Sequence, residues 1–341
     1  MADAEAPRVS AVIACYKDAQ AISLMYERLT AVFAELAVDH EIIFVNDGSP
    51  DDTASILKEL TAKDDRVLAI EHSRNFGSQN AFLSGLEIAS GDAVVLLEGD
   101  LQDPPEVIPA LFEKWREGND VVYGIRSKRE TSAFLSFAYK AFYRVFRGLA
   151  NVPMPLDAGD FCLMNRRVVD ELLALPETDQ FLRGLRAWVG FKQTGVDYVR
   201  PERAFGRSNL SLLKNVWWAK KAIFSFSSAP IEMLSYAAAI MTVLWFVGGA
   251  YVLANSLLHP ERPHGTATIV VLIGFFGSLN LLAIGLVGEY LMKTLEEVKR
   301  RPRFIRRAIW HRGGGLISPA EMETFVRRRK VARPSTEPGA R

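Results

Sequence analysis

The stretch VVLLEGDLQDPPEVIP, residues 94–109, decides the fold. It opens with four apolar residues in a row and then presents three carboxylates, Glu98, Asp100 and Asp103, ahead of two prolines. A short apolar run is typical of a buried strand, and prolines are typical of the first turn of a helix. The stretch therefore predicts a buried strand that ends in acidic residues and is followed by a helix.

The same alternation of apolar runs and helix-period segments extends over the first 126 residues. Segments such as SPDDTASILKEL (49–60) and SQNAFLSGLEIASG (78–91) carry the start and stop residues of helices. Strands that alternate with helices predict a parallel sheet in an α/β domain. The five predicted strands are VSAVIAC (9–15), EIIFVND (41–47), VLAIEHS (67–73), AVVLLEGD (93–100) and DVVYGIR (120–126).

Polar side chains follow these strands, and ligands of an open parallel sheet bind beyond the carboxyl ends of its strands. A dinucleotide-binding dehydrogenase has the same architecture, but the turn ACYKDAQ after the first strand lacks the glycines that let a backbone approach a pyrophosphate. Paired carboxylates instead favour a hard divalent cation, Mg²⁺ or Mn²⁺, which bridges carboxylates to substrate phosphates. The alternative is that the acidic residues are solvated loop charges, or that Asp103 caps the following helix.

The second half of the chain contains two long hydrophobic runs, at 231–258 and 267–292. Each exceeds the roughly 20 residues that a helix needs to cross a bilayer. The eight residues HPERPHGT separate them, so we expect a transmembrane hairpin rather than two buried helices of a soluble core. Lysines and arginines flank the pair, whereas the short loop holds only Arg262. This charge bias predicts that both flanks lie in the cytoplasm.

The two ends of the chain carry further signals. The N-terminal MADAEAPRVS has no basic segment followed by an apolar core, so we expect no cleaved signal peptide. Cys15 and Cys162 are too few for a disulfide framework or a metal cluster, and we expect both to be reduced packing residues. Residues 293–341 hold fourteen Lys or Arg and five Glu, although the whole chain has a net charge of only +1. We expect residues 321–341 to be disordered or to lie near the anionic membrane surface.

Several motifs occur together in this chain. They include IIFVNDGSPDDT (42–53), GDLQDPPEVIP (99–109), DAGDFCLMNRRVV (157–169), FLRGLRAWVGF (181–191) and RRPRFIRR (300–307). Together they closely resemble the bacterial polyisoprenyl-phosphate glycosyltransferases of glycosyltransferase family 2, relatives of the dolichyl-phosphate mannose and glucose synthases. The resemblance runs from about residue 8 to residue 310. It implies a GT-A fold, Rossmann-like with a mostly parallel sheet, and metal-dependent transfer of a sugar from a nucleotide donor to a membrane polyprenyl phosphate.

The resemblance also implies a donor site. Asp47 would lie near the base and ribose, and Asp100 with Gln102 would hold the metal against the diphosphate. Glu98 occupies the first position of the family's Asp-x-Asp pair, so we expect it to act on the metal at longer range or through water. The implied nucleotide-sugar site consists of Tyr16, Asp47, Arg74, Glu98, Gln102 and Ser208, and the implied metal ligands are Asp100, Gln102 and Glu98.

Three positions depart from the family pattern. Glu98 and Asn46 stand where the family usually has Asp, and Asn209 stands where it has Lys. Glutamate keeps the charge on a longer arm, but the lysine replacement removes one phosphate-binding cation. These departures leave open a catalytically silent paralogue that binds nucleotide or lipid and supports a membrane partner.

The implied acceptor side centres on the DAGDF motif. Asp157 and Asp160 would position the acceptor or the metal, or remove a proton, although a phosphate monoester is mostly dianionic at neutral pH and scarcely needs a base. Arg126 and Arg203 are candidates for cations that offset the repulsion between two anions, with an ordinary surface charge as the alternative. The predicted catalytic set is therefore Asp100, Asp157, Asp160, Arg126 and Arg203, and direct attack by the acceptor would invert the anomeric centre.

The predicted organisation has four parts. Residues 1–208 form the cytosolic GT-A domain, 209–229 an interfacial amphipathic segment, 230–293 the two transmembrane helices, and 294–341 a basic cytosolic tail. Two helices are too few for the channel of a processive polysaccharide synthase. Similar enzymes suggest a homo-oligomer, for which a tetramer is one form. We expect a multi-pass protein of the inner (plasma) membrane with both termini in the cytoplasm, and no nucleic acid among its partners.

Overall fold

A computed structural model of the chain describes residues 7–126, 158–177, 181–201, 229–258 and 265–331. The chain divides into two compact units. The first contains a β-sheet with its covering helices and also the segment from Arg301 onward, and the second contains two long helices. The candidate site belongs entirely to the first unit.

The five strands that the sequence predicts are all present. They are β1 (Val9–Cys15), β2 (His40–Asn46), β3 (Val67–His72), β4 (Ala93–Glu98) and β5 (Val121–Arg126). Strand β1 lies between β2 and β4 and pairs with both in parallel, and β2 pairs with β3 in parallel. Side chains of β1 and β2 are buried along their whole length, as expected for strands covered on both faces. The prediction of an α/β fold with a mostly parallel sheet is confirmed.

Four further strands complete the sheet and were not predicted. They are β6 (Ala158–Asn165), β7 (Gln193–Tyr198), β8 (Arg306–His311) and β9 (Gly314–Leu316). The order across the sheet is β7-β5-β6-β4-β1-β2-β3-β8-β9. Strand β6 lies antiparallel between β4 and β5, and β8 lies antiparallel to β3. These two strands run against the other seven, so the sheet remains mostly parallel.

Helices cover both faces of this sheet. In helix α1, the buried residues Ile22, Met25, Leu29 and Phe33 recur every three or four positions, which gives the apolar stripe that packs on the strands. A short 3₁₀ turn, Pro105–Val107, precedes the fourth helix, in agreement with the prolines of the opening stretch. Within the described residues up to 188, the α-helices of the first unit are α1 (Ala19–Leu36), α2 (Thr53–Lys63), α3 (Ser78–Leu86), α4 (Ile108–Arg116), α5 (Arg166–Ala174) and α6 (Leu182–Trp188).

In the part of the second unit that the structure describes, helix α7 (Ala229–Leu258) and helix α8 (Thr266–Lys299) contact each other. The segment Leu272–Lys299 is long and apolar enough to cross a membrane, by length and composition. Within α7 the apolar stretch Tyr236–Tyr251 is shorter. Both predicted runs are therefore helical. The predicted interfacial segment, 209–229, lies outside the described residues except for its last position.

Residues 321–331 differ from the expectation of a disordered tail, and residues 332–341 of that predicted tail lie outside the described residues. Residues 301–331 cluster with the sheet, and residues 319–331 form helix α9 (Pro319–Val331), whose Met322 and Val326 are buried. The sequence did not indicate this helix, because a run of charges usually lies in solvent. Here the arginines instead make specific contacts. The carboxylate of Glu41, the second residue of β2, is fully buried and accepts from Arg329, from the Ser10 hydroxyl (2.6 Å) and from the backbone N–H of Ser90 (2.7 Å).

We expect Arg329→Ala to destabilise the protein by about 2 kcal/mol, because it removes the hydrogen-bonded cation of a buried carboxylate and leaves it with the more distant Arg8, at 3.5 Å. Burial raises the pKa of Glu41, but Arg329 and the hydrogen bonds from Ser10 and Ser90 hold it below its usual value of 4.5. The ionised Glu41 carboxylate therefore stabilises the folded state above about pH 4.5, and this stabilisation is lost as the pH falls through the folded-state pKa. The measurement is the thermal unfolding midpoint. The control is Arg327→Ala, which removes an exposed pair with Glu323 and should change stability by less than about 0.5 kcal/mol. Equal midpoints for the two variants would contradict the prediction.

Candidate active site

A cleft of about 260 Å³ opens at the carboxyl ends of β1, β2 and β4. Tyr16, Asp47, Glu98 and Asp100 all line it, so the structure brings together four of the residues that the sequence assigned to the donor side. Cys15 also lines the cleft, but burial and the nearby Asp18 carboxylate raise the pKa of its thiol well above the usual value, which keeps it protonated and unreactive.

The acidic turn after β4 lies close against the end of β1. A Cβ atom at Gly99 would lie 3.0 Å from both Asp18 Oδ2 and Cys15 Sγ, so the close approach depends on glycine. Leu101, which is buried, has a positive φ of 61°, a conformation that non-glycine residues rarely adopt. The backbone N–H of Gln102 donates to Asp100 Oδ1 (3.1 Å). Asp100 therefore holds its own turn at the cleft and is 5% exposed.

The NDGS turn after β2 is equally constrained. Gly48 has a φ of +65°, and a Cβ atom there would lie 2.5 Å from the backbone of Arg74. Asn46 Oδ1 accepts from the backbone N–H of Ser49 (2.9 Å), a contact that an aspartate could make as well. Asn46, which stands where the family usually has Asp, therefore preserves the turn.

Asp47 organises the loop that follows β3. Its Oδ1 accepts from the backbone N–H of Phe76 (2.9 Å), and its Oδ2 accepts from that of Gly77 (2.7 Å). His72 Nδ1 lies 2.8 Å from the same Oδ1. Arg74 is exposed and lies over the Phe76 ring at 4.0 Å. Asp47 thus shapes one wall of the cleft, whereas Arg74 is a surface residue of the loop.

Glu98 has a partner that the sequence did not reveal. Arg200, just beyond β7, donates to Glu98 Oε2 at 3.0 Å. The pKa of Glu98 is raised to about 7. Burial and the neighbouring carboxylates of Asp103, Asp100 and Asp160 raise it, and Arg200 lowers it. The pairing was not predicted because β7 itself was not, so residue 200 could not be recognised as a strand end.

Asp103 belongs to a second buried group. The Tyr198 hydroxyl donates to Asp103 Oδ1 (2.8 Å), and Arg126 Nε donates to the Tyr198 oxygen (3.4 Å). Burial raises the pKa of Asp103, although Arg200, Tyr198 and Arg126 oppose the shift. The interpretation that Asp103 caps the following helix is wrong, because neither the 3₁₀ turn nor α4 has a side-chain cap.

Asp160, on β6, is held on both oxygens. Arg183 Nε donates to its Oδ1 (3.0 Å), and Gln79 Nε2 donates to its Oδ2 (3.0 Å). The side chain of Asp160 is 6% exposed, whereas that of Arg183 is 37% exposed and reaches solvent. Three other residues of the predicted site, Asp157, Arg203 and Ser208, lie outside the described residues.

The acidic edge can be tested for its fit to a divalent cation. Three carboxylates, those of Asp103, Asp100 and Asp160, lie near enough for their charges to raise the pKa of Glu98, and such a group of acidic side chains beside a cleft suits a hard cation with oxygen ligands. In the ranges that the structure describes, no three His, Cys, Asp or Glu side chains form a group that could hold an ion by themselves. The residues therefore fit a cation that takes further oxygens from substrate phosphates, from an amide such as Gln102 or from water.

Comparison with known sequences identifies relatives along most of the chain. Residues 10–173 match the family model described as Glycosyl transferase family 2. The chain is 40% identical to the uncharacterised glycosyltransferase YkcC of Bacillus subtilis (strain 168), over 87% of this chain and 92% of the relative. It is 37% identical to the SfII prophage-derived bactoprenol glucosyl transferase of Shigella flexneri, over 90% of this chain and 99% of the relative. Among solved structures, mannosyl-3-phosphoglycerate synthase from Rubrobacter xylanophilus matches 64% of this chain and 72% of its own, with 18% identity and a TM-score of 0.44.

Proposed function

The chain belongs to glycosyltransferase family 2, and we propose that it transfers a sugar from a nucleotide sugar to a polyprenyl phosphate. The products are a polyprenyl-phosphate sugar and a nucleoside diphosphate. The observation that carries the proposal is the acidic cleft, where Asp47 and Asp100 share one edge and two arginines, Arg126 and Arg200, lie next to the carboxylates. The names of relatives that are bactoprenol glucosyl transferases support a polyprenyl acceptor.

The donor occupies the cleft in this proposal. The wall formed by Tyr16, Asp47 and the loop after β3 takes the nucleoside, and Asp100 faces the diphosphate. Asp100 and Gln102 would hold Mg²⁺ or Mn²⁺ there, which when bound neutralises charge that develops on the departing diphosphate. Glu98 would act on the metal at longer range or through water, because its carboxylate is paired with Arg200.

The acceptor attacks from the side on which Arg126 lies. A phosphate oxygen of the lipid forms a bond to the anomeric carbon while the bond from that carbon to the diphosphate oxygen breaks, which inverts the centre. Both reactants are anions, so cations must offset their repulsion as they approach to about 3 Å. Arg126 is half-buried and lies near Asp103. Burial lowers the pKa of its guanidinium, but Tyr198 and Asp103 raise it, so the pKa is above the usual value and the side chain stays charged. Arg203 is proposed for the same task from the sequence motif alone.

Asp160 acts in this proposal as a positioning group rather than as a base. Its oxygens accept hydrogen bonds from Arg183 and Gln79, so neither is presented alone to a substrate. A dianionic phosphate also needs no proton removed before it attacks. Asp160 would therefore fix Arg183 near the acceptor phosphate, and Asp157 remains a candidate from the motif.

The membrane part of the proposal rests on α7 and α8. Both expose large apolar side chains, including Trp245, Phe246 and Leu281, and a bilayer would cover them. We propose a two-helix hairpin in the plasma membrane, with both termini in the cytoplasm and the aromatic, lysine-rich segment 209–229 at the headgroups. Assembly into a homo-oligomer, for example a tetramer, through these helices is part of the same proposal.

The orientation predicts different labelling of two introduced cysteines. In intact cells, an impermeant thiol reagent should label Thr266→Cys, near the external loop, and should not reach Ser335→Cys. The two native cysteines are a silent background, because both are free and buried. Detergent-permeabilised cells provide the control, in which both introduced thiols should react. Labelling of position 335 with protection of position 266 would contradict this topology.

The reaction itself can be tested with the purified full chain. Radiolabelled UDP- and GDP-sugars, each incubated with polyprenyl phosphate and Mn²⁺, should yield labelled lipid with at least one donor and none when the lipid is omitted. A long polymeric product would favour a processive synthase. Absence of both labelled lipid and nucleotide release with every donor would favour a silent paralogue and contradict the proposal.

A further inference from the structure

The segment Arg301–Ile305, which joins α8 to β8 and is called the connector here, makes specific contacts with the end of α5 and with the end of β3. Arg303 Nη2 donates to the Leu175 carbonyl (2.7 Å), and the Ile305 carbonyl accepts from the backbone N–H of Ser73 (3.0 Å). The ring of Phe304 stacks on the ring of His72, with centroids 5.4 Å apart and planes 6° apart. The connector is thus attached to the end of β3 and to the first residue of the loop that follows it.

His72 is held between two aromatic rings. Phe304 stacks on one face, and Phe76 meets the ring edge-on at 5.7 Å. The histidine side chain is completely buried, and its Nε2 has no hydrogen-bond partner among the described residues. Its Nδ1 lies 2.8 Å from Asp47 Oδ1, and because a carboxylate only accepts, Nδ1 carries the hydrogen. The position of this donor therefore depends on ring packing, and Phe304 supplies one side of that packing.

Asp47 passes this constraint to the cleft. The carboxylate that accepts from His72 also accepts from the backbone N–H groups of Phe76 and Gly77, which end the loop 73–77 immediately before helix α3. Two residues of this region, Asn75 and Ser78, line the cleft together with Asp47. A continuous series of contacts thus runs from the connector through His72 and Asp47 to the wall of the cleft.

We propose that Phe304 and His72 are positioning residues for the nucleotide donor, and that the connector is a structural part of the donor site. The proposal rests on the proposed function, in which a nucleotide sugar occupies the cleft. Neither side chain lines the cleft, so both act through Asp47 and the loop 73–77. Loss of either contact should loosen the loop and weaken donor binding, without changing the chemistry of a donor once it is bound.

The kinetic test compares Phe304→Ala and His72→Leu with a control on β8, the strand that follows the connector. Both variants should raise the donor KM by about tenfold and leave kcat and the acceptor KM within about twofold. Relative to His72→Leu, His72→Asn regains a side-chain N–H donor but still lacks the ring that stacks on Phe304, so it should restore part of the donor affinity. The control, Trp310→Ala, removes a large ring from β8 that contacts Lys58 and Glu71 rather than the loop. It should lower the unfolding midpoint and leave the donor KM unchanged. If Phe304→Ala does not fold, Phe304→Leu keeps the apolar volume and tests the same stacking.

A second measurement does not depend on activity. Hydrogen–deuterium exchange of the peptide containing the Phe76 and Gly77 amides should be about tenfold faster in Phe304→Ala and His72→Leu, and unchanged in Trp310→Ala. Wild-type exchange in the first two variants, or an equal rise in donor KM in the Trp310 control, would overturn the proposal. If wild type uses no nucleotide sugar, the proposed function fails, and the exchange data still decide whether the connector positions the loop.

Discussion

Replacing Asp100 with asparagine is expected to lower the rate of lipid-linked sugar formation by about a thousandfold or more, equivalent to roughly 4 kcal/mol in the barrier. The substitution nearly keeps the shape of a side chain that is 5% exposed at the acidic turn. It removes a negative oxygen from the position where a divalent cation would offset the charge of the departing diphosphate. The measurement is the initial rate of labelled-lipid formation as a function of Mn²⁺ and Mg²⁺ concentration.

Two variants of Glu98 serve as matched controls for Asp100. Glu98→Asp should remain active because it keeps the charge. Glu98→Gln should lose less than Asp100→Asn, because the carboxylate of Glu98 is paired with Arg200 and need not bind the metal directly. A metal-induced rise in the unfolding midpoint should be present in both Glu98 variants and absent in Asp100→Asn. Near-normal activity of Asp100→Asn, or a wild type that is indifferent to a chelator, would contradict the metal assignment.

Local sequence patterns sufficed for the central part of the fold. The apolar runs of β1 to β5 are short, buried and separated by helix-period segments, so their positions follow from periodicity. Strands β6 and β8 could not be found in this way. The first, AGDFCLMN, mixes charge with apolar residues, and the second, RRAIWH, begins with two arginines whose partners lie far away in the sequence. Their antiparallel insertion is set by tertiary pairing with β4, β5 and β3.

The residues of the candidate site also fall into those that local sequence patterns predict and those that they do not. Asp47, Glu98 and Asp100 could be predicted because they directly follow strands of a parallel sheet, whose carboxyl ends lie on one edge. Tyr198 ends β7 and Arg200 follows it, so their contacts with Asp103 and Glu98 become visible only when this strand is in place. Pairwise contacts between residues about a hundred positions apart have no local signal in a single sequence.

Replacing Arg126 with alanine should lower kcat/KM for the polyprenyl phosphate by about tenfold to a hundredfold, because a charged hydrogen bond is worth roughly 1.5–3 kcal/mol. Arg126 ends β5, next to the Tyr198 hydroxyl and the Asp103 carboxylate, which fix the guanidinium without neutralising it fully. Removal of this cation leaves the repulsion between acceptor phosphate and donor diphosphate less compensated. The donor KM, measured at saturating acceptor, should change by less than about threefold, since the donor cleft is lined by other residues.

Three variants separate the role of Arg126 in acceptor binding from a purely structural one. Arg126→Lys keeps the charge and should recover part of the loss, although lysine lacks the planar fork of arginine. Tyr198→Phe removes the hydroxyl that contacts Asp103 and Arg126 but keeps the cation, so its acceptor defect should be smaller than that of Arg126→Ala. Arg66→Ala removes an arginine that pairs with Asp64 beside β3, away from the cleft, and should leave both KM values unchanged. If Arg126→Ala lowered the unfolding midpoint but kept the wild-type acceptor KM and kcat, Arg126 would serve only to compensate the buried Asp103, and the acceptor phosphate would depend on other cations such as Arg183 and Arg203.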